Sequence, residues 1–269
     1  METTLRFGSF IALFVVMALW EMQRPRRRLT QPKVIHWRTN LALLFTDVLL
    51  LRFTLGAAAL GTAEYAQQHG WGLFNITAWP AWLEFLVAWL LLDFALYLQH
   101  VLSHALPVFW RLHRVHHSDL DFDLTTGVRF HPLEILLSML YKMAVVTALG
   151  APPLAVLVFE VVLNGASVFN HGNVYIPEKI DRWLRFFIVT PDMHRVHHSS
   201  VVNETNSNFG FSISLWDRLC GTYRAQPALG QTGFEVGLKE YRERLGWGAL
   251  LLLPFRRKLG RYSLRRDAD

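Results

Sequence analysis

The chain has 269 residues, 52% of them hydrophobic, 13% aromatic and only 18% charged. That is the length of one compact unit and too apolar for an ordinary soluble domain. The net charge of +6 is gathered in a few short segments, a distribution that argues for a membrane topology signal and against a nucleic-acid surface, so no nucleic-acid partner is expected.

Apolar runs stand at Leu5 to Trp20, Leu41 to Ala59, Trp82 to Leu98, Ile135 to Leu149 and Leu154 to Phe169. A bilayer core needs about 20 residues of helix. The first three runs meet this with their flanks. The last two are short and broken by Gly150, Pro152 and Pro153, and read as a hairpin that either crosses twice or enters and turns back. The fold class expected is therefore all-α: an integral membrane protein with about four to five transmembrane helices. One domain spans 1–269, with a transmembrane region 1–92, a histidine-rich region 93–224 and a basic amphipathic tail 225–269.

The first run is followed by RPRRR rather than by a small-residue cleavage site, and reads as a retained span. Six Lys and Arg residues lie between Gln23 and Arg38, three between Gln99 and Pro132, and none in Gly61 to Ala81 or Gly150 to Pro153. Cationic loops stay inside, so the N-terminus is expected outside and the histidine motifs on the cytoplasmic face, as a helical cap. Gly61 to Ala81 reads as an outer loop. Asp47 and Arg52, inside the second run, face a partner or a cavity, or lie near the ends of a tilted helix.

The third run leads into five of the chain's twelve histidines: His100, His104, His113, His116 and His117. The HRVHH of His113 to His117 returns unchanged at His194 to His198. Residues spaced i, i+3 and i+4 share one helix face, so each HRVHH is expected to converge on one point. Eight imidazoles in paired motifs are metal ligands far more readily than packing residues. His171, in FNHGN between the two repeats, is a ninth candidate. His36 and His69 stand alone and read as hydrogen-bonded or interfacial residues.

A structural zinc site closes with four ligands, often thiolates, and Cys220 is the one cysteine. Two ions sharing neutral nitrogen ligands, each with an open position, fit a redox metal such as iron. A liganding imidazole usually donates its other N–H to a carboxylate or carbonyl. Asp93, on the stripe of His100, is a candidate acceptor or pairs elsewhere in the bundle; Tyr97 shares that stripe. His131, Glu204, Asn206 and Asn208 are further candidates, with Asp119, Asp121 and Asp123 either behind the ligands or in a solvated turn. Lys142 and Glu160, each nine residues from Ala151, are expected to pair at matching depth. Asp181 to Val189, basic and aromatic, reads as an interfacial segment.

These histidine spacings resemble those of membrane-bound di-iron oxygenases. With RFHPLE at Arg129 to Glu134, FNHGN, and ETNSNFGFSISLWDRLCGTY, the chain resembles the fatty acid hydroxylase and sterol desaturase superfamily over about Asp93 to Arg224. The resemblance implies two iron ions as cofactor, O2 as co-substrate, and a membrane lipid of sterol, fatty acyl, alkylglycerol or carotenoid type, hydroxylated or, in some members, desaturated. No haem, flavin or iron–sulfur motif is visible, so a separate electron donor is implied, a ferredoxin, a cytochrome b5 or a reductase.

A zinc hydrolase is the rival chemistry, but no HExxH occurs. A non-catalytic membrane metal-binding protein is the rival of another class. Arginine exceeds lysine and the chain ends without a retrieval motif, which leans toward a bacterial inner membrane over the endoplasmic reticulum.

Overall fold

The computed structural model describes residues 2–55 and 58–260. Nine helices organise it: α1 (Glu2–Gln23), α2 (Lys33–Thr54), α3 (Ala58–Gln68), α4 (Ala81–Ala105), α5 (Pro107–His117), α6 (Pro132–Leu149), α7 (Pro153–Asn170), α8 (Glu178–Leu184) and α9 (Pro191–His197). Shorter turns of helix follow, among them Trp247–Leu252. The described residues contain no β-strand, only isolated bridges such as Ile188 with Ile213. Five helical stretches are long and apolar enough to cross a membrane, in keeping with an all-α integral membrane fold.

α6 and α7 have 18 residues each, or about 27 Å at the helical rise, which is close to a bilayer core. The chain turns between them at Gly150, whose φ of 64° is open to glycine without strain. Its amide bonds back to the Thr147 and Val146 carbonyls. Gly72 sits directly over this turn, where a Cβ would lie 2.1 Å from the Gly150 nitrogen, so both positions exclude any side chain.

The stretch Gly61 to Ala81, expected as an outer loop, is in large part helical: α3 runs to Gln68 and a 3-10 turn covers Leu73–Asn75. Ala59, Ala63 and Phe74 are buried with Ala88, Val146, Ala155 and Phe159 in the largest apolar core. Small alanines let α3 lie close against α6 and α7. Low charge alone had made this segment look like a loop.

Charges within the bundle are managed by pairing. Lys142 Nζ lies 2.9 Å from Glu160 Oε1, as the symmetry about Ala151 predicts. Arg6, on α1, joins the same carboxylate from the other side. Arg52 is exposed and Asp47 is 5% exposed, and no ion pair links them.

The C-terminal segment expected as an amphipathic tail is docked onto the bundle. Leu250 and Leu253 are fully buried against Leu43 and Val115. Arg114, also fully buried, donates to the Leu253, Arg256 and Lys258 carbonyls and fastens this segment to α5. Residues of the tail after Gly260 lie outside the described ones. Trp183, Phe186 and Phe187 are all more than half exposed, while Arg185 between them turns inward to Asp181.

A buried network ties the polar connections to the bundle. His36, on α2, has Nδ1 3.1 Å from Asp123 and Nε2 2.8 Å from Asp119. Trp37 donates to Asp123, and Thr30 and Gln31 bind Asp121. Arg129 reaches the Val115 carbonyl, Ser118 and Asn40. The three aspartates are therefore neither in a solvated turn nor behind the clustered histidines; they tie the start of α2 to the loop after α5. Burial pushes the Asp119 carboxyl up, yet the cationic groups of His36 and Arg129 outweigh it and hold the carboxyl well below the usual range.

Candidate metal centre

Each histidine reaches the centre from the end of a helix. α4 delivers His100 and His104 from its last two turns, and a break at Leu106–Pro107 starts α5. Proline at the first position of α5 and again of α9 fixes the backbone and sacrifices no helical bond. In α9, the Thr190 side chain accepts the Met193 amide as a cap. His117 closes α5, His198 follows α9, and His171 caps the end of α7.

The nine histidines gather into two groups. His100, His104, His113, His117 and His197 form one; His116, His171, His194 and His198 form the other. Within each, the ligand nitrogens lie within 4.8 Å of one another. All nine are buried. Each HRVHH was expected to converge on one point, and it does not. His113 and His117 go to the first group while His116 goes to the second; His194 and His198 go to the second while His197 goes to the first. The i and i+4 members stack on one line of the helix, and the i+3 member is turned far enough to face the neighbouring group.

Five of the outward ring nitrogens are held, while Nδ1 of His116 and of His194 is buried without a hydrogen-bond partner. His100 Nδ1 donates to the Phe209 carbonyl at 2.9 Å, His197 Nδ1 to Ser207 at 2.8 Å and His171 Nδ1 to Ser167 at 2.7 Å. His113 Nδ1 donates to Glu134 Oε1 at 2.6 Å, and His104 Nδ1 to Asn206 Oδ1 at 3.2 Å. A ring that donates from Nδ1 presents a bare lone pair at Nε2.

The Nε2 atoms face one another. Nε2 to Nε2 distances are 3.1 Å for His100–His113, 3.1 Å for His104–His117, 3.1 Å for His116–His171 and 3.0 Å for His171–His194. Nε2 of His197 and of His198 are buried with no hydrogen-bond partner. His100 and His113 both donate from Nδ1, and two bare nitrogens so close repel unless a cation lies between them. Two nitrogens bound to one ion at a right angle, each at about 2.1 Å, are about 3.0 Å apart, so both groups fit a metal ion.

Burial, the largest cause throughout, holds these imidazoles neutral: His171 drops to about 4 and His197 to about 3. His116, His117, His194 and His198 also fall well below the ordinary value, with neighbouring imidazoles adding to the effect. In the unfolded chain each takes up a proton near about 6.5. Below that pH the unfolded state binds more protons, so stability falls as pH falls. The metal-free protein is expected to weaken between about pH 6.5 and 4, by up to about 1.4 kcal/mol per pH unit for each imidazole kept neutral. Denaturation of the metal-free protein across this range measures the slope, and a flat profile would count against it.

The other candidate residues serve the surroundings. Asp93 accepts from Trp216 Nε1 and the Ile213 amide rather than from a histidine. Tyr97 bonds Thr222. His131 caps α6, accepting the Leu133 amide, and its other nitrogen meets the Leu251 carbonyl. Glu204 binds Ser199 and the Ala228 amide. Asn208 has a φ of 55° and clamps the Met193 and Arg224 carbonyls. It sits between Ser207 and Phe209, whose carbonyls hold His197 and His100. Asp217 fixes the same loop through the Phe209 and Gly210 amides. Glu134 is the acceptor that sequence reasoning missed, although it ends the RFHPLE segment.

A cavity of about 290 Å³ opens onto His100 and His113 of one group and His116 and His194 of the other. Its walls are mostly apolar and come from α1, α2, α4, α6 and α7, with Phe10, Leu44, Val48, Leu96, Met139 and Leu163 among them.

Membrane-length helices together with nine buried histidines in two metal-sized groups define an integral membrane protein with a candidate dinuclear centre. The family model of fatty acid hydroxylases matches residues 85–222, just over half of the chain, and the chain belongs to that family. It is 28% identical to an ornithine lipid hydroxylase of Rhizobium tropici, over 93% of this chain and 75% of that protein. It is 27% identical to human alkylglycerol monooxygenase, over 57% of this chain and 33% of that one. With human cholesterol 25-hydroxylase the identity is 32%, over 50% of this chain and 49% of the relative. No solved structure matches. By their names these relatives are hydroxylases and monooxygenases.

Proposed function

We propose that the chain is an O2-dependent lipid hydroxylase working with two iron ions. The observation that carries this reading is the apolar cavity that touches both histidine groups at once. A hydrocarbon segment entering between the membrane helices meets both ion positions without passing through water. The family and the hydroxylase relatives, which act on ornithine lipids, alkylglycerols and cholesterol by their names, support the same chemistry.

His100, His104, His113, His117 and His197 would hold one ion, and His116, His171, His194 and His198 the other. An all-nitrogen neutral donor set with room for exogenous ligands suits iron better than structural zinc. The bound irons would supply O2 activation and the oxidation of an unactivated C–H bond. One oxygen atom enters the lipid and the other leaves as water, which draws two electrons and two protons from a separate donor. Glu134 and the Phe209, Ser207 and Ser167 carbonyls hold the rings in the tautomer that offers Nε2, and Asn206 does so for His104. Asn208 positions two of those carbonyls by clamping its loop. The cavity walls exclude water from the site. The histidine face is assigned to the cytoplasm from the cations of the Gln23 to Arg38 connection.

The test is metal analysis of the purified protein in detergent, followed by anaerobic reduction and exposure to O2 with a host lipid extract. Two irons per chain, oxygen uptake and a lipid gaining one oxygen atom are expected; loss of two hydrogens instead would show a desaturase. Tightly held zinc with no uptake after iron reconstitution overturns the oxygenase reading.

A further inference from the structure

The cavity wall carries two carboxylates that the metal centre does not account for. Asp47, on α2, is 5% exposed, and its Oδ1 is buried without a hydrogen-bond partner. Glu134 spends Oε1 on His113, and its Oε2 is likewise buried and unpartnered. Both side chains line the same cavity. Among the described residues, neither oxygen has a donor within reach.

A polar group buried in apolar surroundings without a partner is costly, and a carboxylate more so. Two other buried acids of the chain meet this cost with cations. Glu160 takes both Lys142 and Arg6, and Asp119 takes His36. Lys142 faces the same cavity, but its ammonium is committed to Glu160 at 2.9 Å. Thr46, beside Asp47, is tied outward to Trp247. Neither open oxygen thus has a protein cation bound to it, and both residues line the space where the ligand would lie.

We infer that Asp47 and Glu134 receive a cationic amino group of the lipid substrate. An ammonium carries the donors and the charge that two carboxylates lack; an alcohol would satisfy one lone pair and leave the charge unbalanced, and a fatty carboxylate would be repelled. Because Glu134 is hydrogen-bonded directly to His113, the amino group is held beside the metal centre. The oxidised carbon therefore belongs to the amino-bearing end of the lipid and not to the far end of its chain. The inference rests on the proposed function only in taking this cavity as the substrate site.

Binding of octadecylamine, octadecanol and octadecanoate to the metal-free protein in detergent is the test, followed by native mass spectrometry or tryptophan fluorescence. It needs neither iron nor O2, so it stands apart from the oxygenase assay. The wild-type protein is expected to bind the amine about tenfold or more tighter than the alcohol, the effect of a charge-assisted hydrogen bond in a buried site, and the carboxylate most weakly. Asp47→Asn is expected to reduce the amine preference to about twofold or less. Equal affinity for amine and alcohol overturns the inference, as does an Asp47→Asn protein that keeps the full preference. If Asp47→Asn does not fold, the wild-type ranking alone decides.

Discussion

Replacing His197 with alanine and replacing His198 with alanine will remove metal from different positions, although the two residues are neighbours in the chain. His197 belongs to the group with His100, His104, His113 and His117, and His198 to that with His116, His171 and His194. Each variant is expected to retain close to one metal ion, against two expected for the parent. Turnover should fall to below about one hundredth of the parent, because even losing a group that merely orients a ligand costs 10–100-fold. Metal content per chain, with spectroscopy of the remaining ion, reads the outcome. Identical spectra for the two variants would mean that the two-group division is wrong.

A His36→Ala protein should be among the least stable single variants, although His36 is far from any ion position in sequence and function. Its ring is 2% exposed and lies between the carboxylates of Asp119 and Asp123, themselves 2% and 0% exposed. Removing it strands two acids in a buried site, for which about 3–5 kcal/mol is expected. Asp119 has a folded-state carboxyl held below its unfolded value. Its contribution is present above an unfolded value of about 3.9 and is lost as pH falls through the folded one. The parent and variant should therefore differ most at neutral pH and converge in strong acid. Denaturant titrations at the two pH values decide; a His36→Ala protein as stable as the parent at pH 7 would show the network to be dispensable.

The centre was legible in the chain because nine histidines in repeated spacings have few other uses. Their division between two groups was not. Periodicity states which residues share a helix face, but a face of about 100° is wide enough to address two ions, and which ion each residue meets depends on where α4, α7 and α9 stand around it. The acceptor on His113 was missed for a related reason. Acids were sought on the histidine helix itself and in the loop after it, whereas Glu134 lies 21 residues beyond His113, in the first turn of α6. Asp93 lies on the expected stripe, yet Trp216 and Ile213 reach it first. The Lys142–Glu160 pair was legible because a hairpin maps equal offsets onto equal depth, with no knowledge of other helices required. His36 read as a hydrogen-bonded residue, and only the fold reveals that its partners are carboxylates more than 80 residues away.

The splitting of the two HRVHH segments also sets an order of events during synthesis. Once α4 and α5 have emerged, four of the five histidines of the first group are already made, all within 18 residues from His100 to His117. The second group then has His116 alone, gains His171 at the end of α7, and reaches its full set only with His194 of α9 and His198 just after it. A nascent chain can thus capture its first ion on a local helical hairpin, while the second position must wait for the last membrane helix to be placed and for α9 to swing over it. Metal loading would in this sense report on the completion of the fold, and a chain stalled before α9 would leave the ribosome with room for one ion and no working pair.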